Sequence, residues 1–166
     1  GSYQDYGVWI TSGDMNLVTN NTIRGHGFYG VNLDGNAATN TIWGNTIRSN
    51  DLYGVRLNGE AVDGNRIVLN TITGPTNQDT GVYIQNGDMN LVTINTIRGH
   101  SLNGVSLIGD AATNTIWGNT IRSNGLYGVL LDGAYVDGNR IISNTIDSGA
   151  SGTFQDCGVR ITNGDT

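Results

Sequence analysis

Lysine is absent from this chain: all eight basic residues are arginine, and they face fourteen acids for a net charge of −6. Binding to a phosphate backbone depends on basic clusters that release counterions, so nucleic acid is not an expected partner. A single cysteine, Cys157, excludes an internal disulfide and a thiolate zinc cluster and leaves the cellular compartment open. No run approaches the roughly 18 to 20 apolar residues that span a bilayer, which removes the membrane from the expected partners. No secretory leader is present, and Gly1-Ser2 reads as an expression scar behind which a native targeting segment would have been cut away. Charge is sparse and apolar residues recur on schedule, which excludes a disordered tract, and 166 residues amount to one domain.

What the chain has in abundance is repetition. Asn-Thr-Ile begins at Asn21, Asn45, Asn70, Asn95, Asn119 and Asn144, at intervals of 24, 25, 25, 24 and 25 residues. Gly-Val-x-(Ile/Leu) begins at Gly7, Gly30, Gly54, Gly81, Gly104, Gly128 and Gly158, and Asn-x-(Val/Ile) begins at Asn16, Asn40, Asn65, Asn90, Asn114 and Asn139. A fixed period of this size is the signature of a repeat architecture. Within each period apolar and polar residues alternate, as in Val31-Asn32-Leu33, and Gly, Asn, Asp and Ser fill the turns, so each period holds three short strands. Equivalent strands of successive coils must then lie side by side and parallel. The expected fold class is all-β: one parallel β-helix over residues 3–166, about six to seven coils stacked at roughly 4.8 Å each. The valines of Gly-Val and the isoleucines of Asn-Thr-Ile would form inward columns, each coil covering its neighbours.

Residues 13–74 return as 87–148 at an offset of 74, and Ala37 through Asn50 is repeated unchanged as Ala111 through Asn124. Exposed positions normally drift, so this identity implies a recent duplication or an engineered sequence built from a three-coil unit. With its Asn-Thr-Ile, Gly-Val-x-Leu and Asp-Gly-Asn-Arg-Ile phrases, the whole chain resembles the right-handed parallel β-helix repeats of the pectate-lyase-like superfamily. That superfamily includes polysaccharide lyases, hydrolases, uronate epimerases, tailspikes, adhesins and copper-maturation proteins, so the resemblance implies a fold more than a function. For a natural member it implies an extracellular or cell-surface location.

In a solenoid the functional unit is a column. The asparagines of Asn-Thr-Ile read as a stacked amide ladder that satisfies backbone groups at a bend. The neighbouring threonines face outward, but the residue two later is usually arginine, so no second threonine rank exists to order water as an ice-binding face would. The outward position of Gly-Val-x-(Ile/Leu) reads Trp9, Asn32, Arg56, Tyr83, Ser106, Leu130 and Arg160. Trp9, Asn32, Arg56, Tyr83 and Arg160 are the candidate ligand residues: aromatic rings stack on sugar faces, and arginine holds a carboxylate in a two-pronged hydrogen bond. No cofactor motif is present. Asp14, Glu60, Asp88 and Asp110, in the turns after this strand, are the candidate ligands for a metal, with calcium as the ion hard oxygen donors would take.

The two histidines sit in Gly25-His26-Gly27 and Gly99-His100-Ser101. The first is similar to the Gly-His-Gly phrase of polygalacturonases, but that family's paired aspartates have no counterpart, and its Arg-Ile-Lys cannot occur without lysine. No acid and base pair for glycoside hydrolysis is visible, so no catalytic residue is assigned. The expected function is a structural or carbohydrate-binding scaffold; the alternative is a lyase, hydrolase or epimerase acting on a uronate-rich polysaccharide. Insertions around Gly74 to Thr80 and Ser148 to Cys157 would wall such a site. The phrases Gln4-Asp5-Tyr6-Gly7-Val8 and Gln155-Asp156-Cys157-Gly158-Val159 stand at the two ends without a capping helix, which predicts that the chain associates with itself head to tail.

Overall fold

The computed structural model describes residues 4–75, 78–149 and 155–162. The parts of the two insertions at 76–77 and 150–154, and residues 1–3 and 163–166, lie outside the described residues. Among the described residues all regular structure is β, and no helix is long and apolar enough to cross a membrane. The first coil comprises β1 (Tyr6–Thr11), β2 (Leu17–Thr19) and β3 (Thr22–Arg24). The second and third are β4 (Tyr29–Asp34), β5 (Thr41–Trp43), β6 (Thr46–Arg48), then β7 (Tyr53–Asn58), β8 (Arg66–Val68), β9 (Thr71–Thr73). The fourth and fifth are β10 (Thr80–Gln85), β11 (Leu91–Thr93), β12 (Thr96–Arg98), then β13 (Asn103–Ile108), β14 (Thr115–Trp117), β15 (Thr120–Arg122). The sixth is β16 (Tyr127–Asp132), β17 (Arg140–Ile142), β18 (Thr145–Asp147), followed by β19 (Cys157–Thr162). Every third strand pairs in parallel, giving a seven-stranded sheet A of the long strands and six-stranded sheets B and C of the short ones. Six full coils and one further strand match the architecture expected from the period.

The inward columns are as the repeats predict. Val31, Val55, Val82, Val105 and Val129 from sheet A and Ile47, Ile72, Ile97 and Ile121 from sheet C are fully buried, with Ile42, Ile67, Val92 and Ile116 closing the third side from sheet B. Fully burying each such side chain contributes roughly 1.5 to 3 kcal/mol against leaving it in water. The bend between sheets B and C is held by the predicted amide ladder. Asn45 Nδ2 donates to Asn70 Oδ1 at 3.1 Å and to Val18 O at 2.9 Å, while Asn70 Oδ1 also accepts the Asn45 backbone N–H at 2.9 Å. A second ladder runs through Asn16, Asn40, Asn65 and Asn90 at the entry to sheet B, with Asn65 Oδ1 accepting from Asn40 N at 2.8 Å.

A third polar ladder lies inside the corner where sheet C turns into sheet A. Its members include Asn50, Gln78, His100 and Asn124: Asn50 Nδ2 donates to Gln78 Oε1 at 3.3 Å, Gln78 Nε2 meets His100 Nδ1 at 3.2 Å, and His100 N donates to Asn124 Oδ1 at 3.3 Å. This ladder helps explain the glycine of the Gly-Val phrases from Gly7 to Gly128. A Cβ at Gly81 would fall 2.5 Å from Ile97 Cγ2, 2.6 Å from Gly104 O and 2.8 Å from His100 Nε2. Strand and ladder share one narrow corner, and only hydrogen fits between them.

Candidate functional site

Residues pointing outward from sheet A are set by the kink at the Gly-Val glycine. The residue before the glycine, the one after the valine and the last of the strand point outward from the sheet, though Asn32, Thr80, Asn103 and Ser106 are themselves buried there. Register therefore places Trp9 beside Asn32, Asn32 beside Arg56 and Arg56 beside Tyr83 on adjacent rungs. Arg160 lies on β19, beyond the intervening Ser106 and Leu130, so four of the five candidate ligand residues come together and the fifth stands apart. There its guanidinium lies 5.1 Å from the Tyr127 ring centroid and donates to the Tyr127 hydroxyl.

The four are joined by polar contacts that converge on Asp34. Trp9 Nε1 donates to Asp34 Oδ2 at 2.9 Å, Asn32 Nδ2 donates to the same oxygen at 3.0 Å, and Arg56 Nη1 donates to Asn32 Oδ1 at 3.1 Å. The other carboxylate oxygen, Asp34 Oδ1, is buried without a partner among the described residues. Arg56 also lies over the Tyr29 ring, 5.0 Å from its centroid. Tyr29, Tyr53 and Tyr83 form a continuous stack: centroids are 5.3 Å and 4.5 Å apart, with 3° between planes at each step. The rings spend their faces on one another along the rod and present edges and hydroxyls outward. Tyr6 extends the aromatic cluster to Trp9 at 5.1 Å and Phe28 at 6.1 Å, and the Trp9 ring, 58% exposed, is the open apolar surface. Burial holds the Tyr53 and Tyr83 hydroxyls above the usual phenol range, so they stay neutral donors at any physiological pH.

Sequence reasoning did not place Asp34 among the ligand residues and missed the tyrosine stack. The signals were present, since Tyr precedes glycine at Tyr6, Tyr29, Tyr53 and Tyr127. Tyr83 joins the stack from a different strand position, following valine, because Thr80 on its rung leaves room above Tyr53.

The four candidate metal ligands do not share one column. Asp14 and Asp88 lie two residues before the ladder asparagines, and each accepts a backbone N–H from the next coil, Ala38 N at 2.9 Å and Ala112 N at 2.8 Å. Asp63 does the same for Asp88 N at 2.7 Å. Glu60 and Asp110 occupy an earlier turn position and are exposed. Among the described residues no three acids, histidines or cysteines gather as a metal cage. The histidines are wall components: burial drives His100 down to about 3 and lowers His26 less steeply.

No curated protein matches the chain. Among solved structures, the periplasmic alginate epimerase AlgG superposes with a TM-score of 0.74 at 18% identity, over 96% of this chain and 43% of that one. A double variant of AlgG gives a TM-score of 0.77 at 21% identity, over 95% of this chain and 36% of that one. The chain thus spans less than half the length of these proteins, and at such identity the likeness is one of fold. The family model described as a right-handed β-helix region matches residues 6–166, and the chain belongs to that right-handed β-helix family.

Proposed function

We infer that the chain is a carbohydrate-binding β-helix scaffold whose binding face is the outer side of sheet A from β1 to β10. The observation that carries this reading is the Trp9–Asp34–Asn32–Arg56 network beside the Tyr29–Tyr53–Tyr83 stack. It sets one open indole, a preordered guanidinium with most of its five donors unused and a row of phenol hydroxyls on one rigid surface. Indole faces pack on sugar C–H faces, and fixed polar groups select hydroxyl and carboxylate positions. Glycan-array screening followed by titration tests it: Trp9→Ala and Arg56→Gln should each weaken binding about tenfold, which corresponds to about 1.4 kcal/mol. Wild-type protein that binds no glycan at high concentration would refute it.

A second reading, turnover of a uronate-rich polysaccharide, draws support from the fold shared with AlgG and from Asp34 lying near Arg56. Appearance of unsaturated products, new reducing ends or inverted uronates on incubation with acidic polysaccharides would select it over binding alone. In either case calcium is the ion to add, with Glu60 and Asp110 as the exposed oxygen donors. End-to-end self-association is a further part of the proposal. Among the described residues β1 and β19 each pair on one side only, and Val159 and Ile161 are exposed. Light scattering that finds a strict monomer at high concentration would remove it.

A further inference from the structure

Sheet C carries four of the eight arginines in a single outward column. Register aligns Arg24 with Arg48 and Arg98 with Arg122, and Thr73 stands between the two pairs, opposite Arg48 on one side and Arg98 on the other. Neighbours in such a column lie roughly 4.8 Å apart. Like charges on adjacent rungs oppose pairing, and a chain with fourteen acids has ample means to interleave them. It does so only at the end of the column, where Asp147 follows Arg122. Among the described residues none of the four guanidiniums has a hydrogen-bond or ion-pair partner. Where the short Thr73 interrupts the column, the surface opens into a pocket lined by Thr73, Pro75, Arg98, Gly99 and Ser123.

We propose that this column is a binding site for a linear anionic polysaccharide, with one acidic group of the polymer seated in the Thr73 pocket and its neighbours paired to Arg48, Arg98 and Arg122. Each guanidinium offers a fork that grips a carboxylate or sulfate two-pronged, and the hydroxyls of Thr73 and Ser123 add donors beside it. The regular rungs match a polymer whose charges recur along its length. Single-stranded nucleic acid is disfavoured because no aromatic side chain stands in the column to stack a base. The site lies on a different sheet from the Trp9–Tyr83 surface and holds or fails independently of it.

The test is calorimetric titration of the whole chain with oligogalacturonate and with a heparin oligosaccharide, at low and at raised salt, the two probes separating carboxylate from sulfate. The expected result is salt-dependent binding of at least one probe that Arg98→Gln and Arg122→Gln each weaken threefold or more, with a shallower salt slope. Arg140→Gln on sheet B should leave that binding unchanged. The substituted residues are exposed, and an unaltered unfolding midpoint confirms that each variant is folded. Absence of binding to both probes, equal loss in Arg140→Gln, or tighter binding of single-stranded DNA of the same charge would each overturn the proposal.

Discussion

His100 makes the stability of this solenoid depend on pH in a way that one substitution can remove. Its side chain is 2% exposed and sits in the corner ladder, with Nδ1 against Gln78 Nε2 and Nε2 without a partner among the described residues. Burial leaves no solvent to stabilise the imidazolium, so the folded chain takes up this proton only near pH 3, against 6.5 for a free histidine. Above pH 6.5 both folded and unfolded chains hold the ring neutral, and the full stability is present. As the pH falls below 6.5 the unfolded chain protonates first, so stability is lost progressively until the folded chain protonates as well. At about 1.4 kcal/mol per pKa unit, the loss attributable to this residue between pH 7.5 and 4.5 is about 3 kcal/mol. Asn50 and Asn124 show that the corner ladder accepts asparagine at the equivalent place, at the same spacing from the preceding Asn-Thr-Ile asparagine as His100. His100→Asn should therefore keep the fold while making it about 3 kcal/mol less sensitive to acid. Urea unfolding of both proteins at pH 7.5 and 4.5 gives the comparison, since carboxylates and His26 titrate alike in both and cancel in the difference. Identical pH dependence in wild type and variant would refute the reasoning.

The remaining expectations concern the solenoid wall. Asn70→Ala removes donors to Ile42 O and Val68 O and the acceptor of Asn45 N, so the unpaired buried groups should cost about 3 kcal/mol or more in denaturant unfolding, with little change in slope. Gly81→Ala drives a methyl into Ile97, the Gly104 carbonyl and His100, and should cost at least about 3 kcal/mol or prevent folding, read by circular dichroism and thermal melting. Ile94 holds φ of 53° at a turn position where Gly44 and Gly118 serve in other coils, and its side chain is exposed. Ile94→Gly should therefore raise stability by about 1 kcal/mol by releasing left-handed strain, measured as a higher unfolding midpoint.

The wall of the solenoid was legible because its columns are strictly periodic. Val31 and Ile47 recur with identical chemistry, and a ladder asparagine must be asparagine to donate and accept at once. The corner ladder escaped notice because its members differ in type: an imidazole at His100 and amides at Asn50 and Gln78 perform one role, and nothing in a single phrase says that they stack. The carboxylates were misaligned because the turns before sheet B differ in length. Gly59-Glu60-Ala61-Val62 has one residue more than Gly109-Asp110-Ala111, so Glu60 and Asp88 looked equivalent and are not. The ligand face was legible only in part. Reading one strand position at a time found Trp9, Asn32, Arg56 and Tyr83, but the stack on Tyr53 and the convergence on Asp34 connect different strand positions on neighbouring rungs, a relation that exists only once the coils are wound.

The claim that function resides on the outer side of sheet A is tested most directly by hydroxyl-radical footprinting with and without the tightest glycan found on an array. The account predicts protection of Trp9, Tyr29, Tyr53 and Tyr83, while Trp43 and Trp117, exposed on sheet B, keep their full reactivity. Protection of Trp43 and Trp117 with no change at Trp9 and the tyrosines would contradict it.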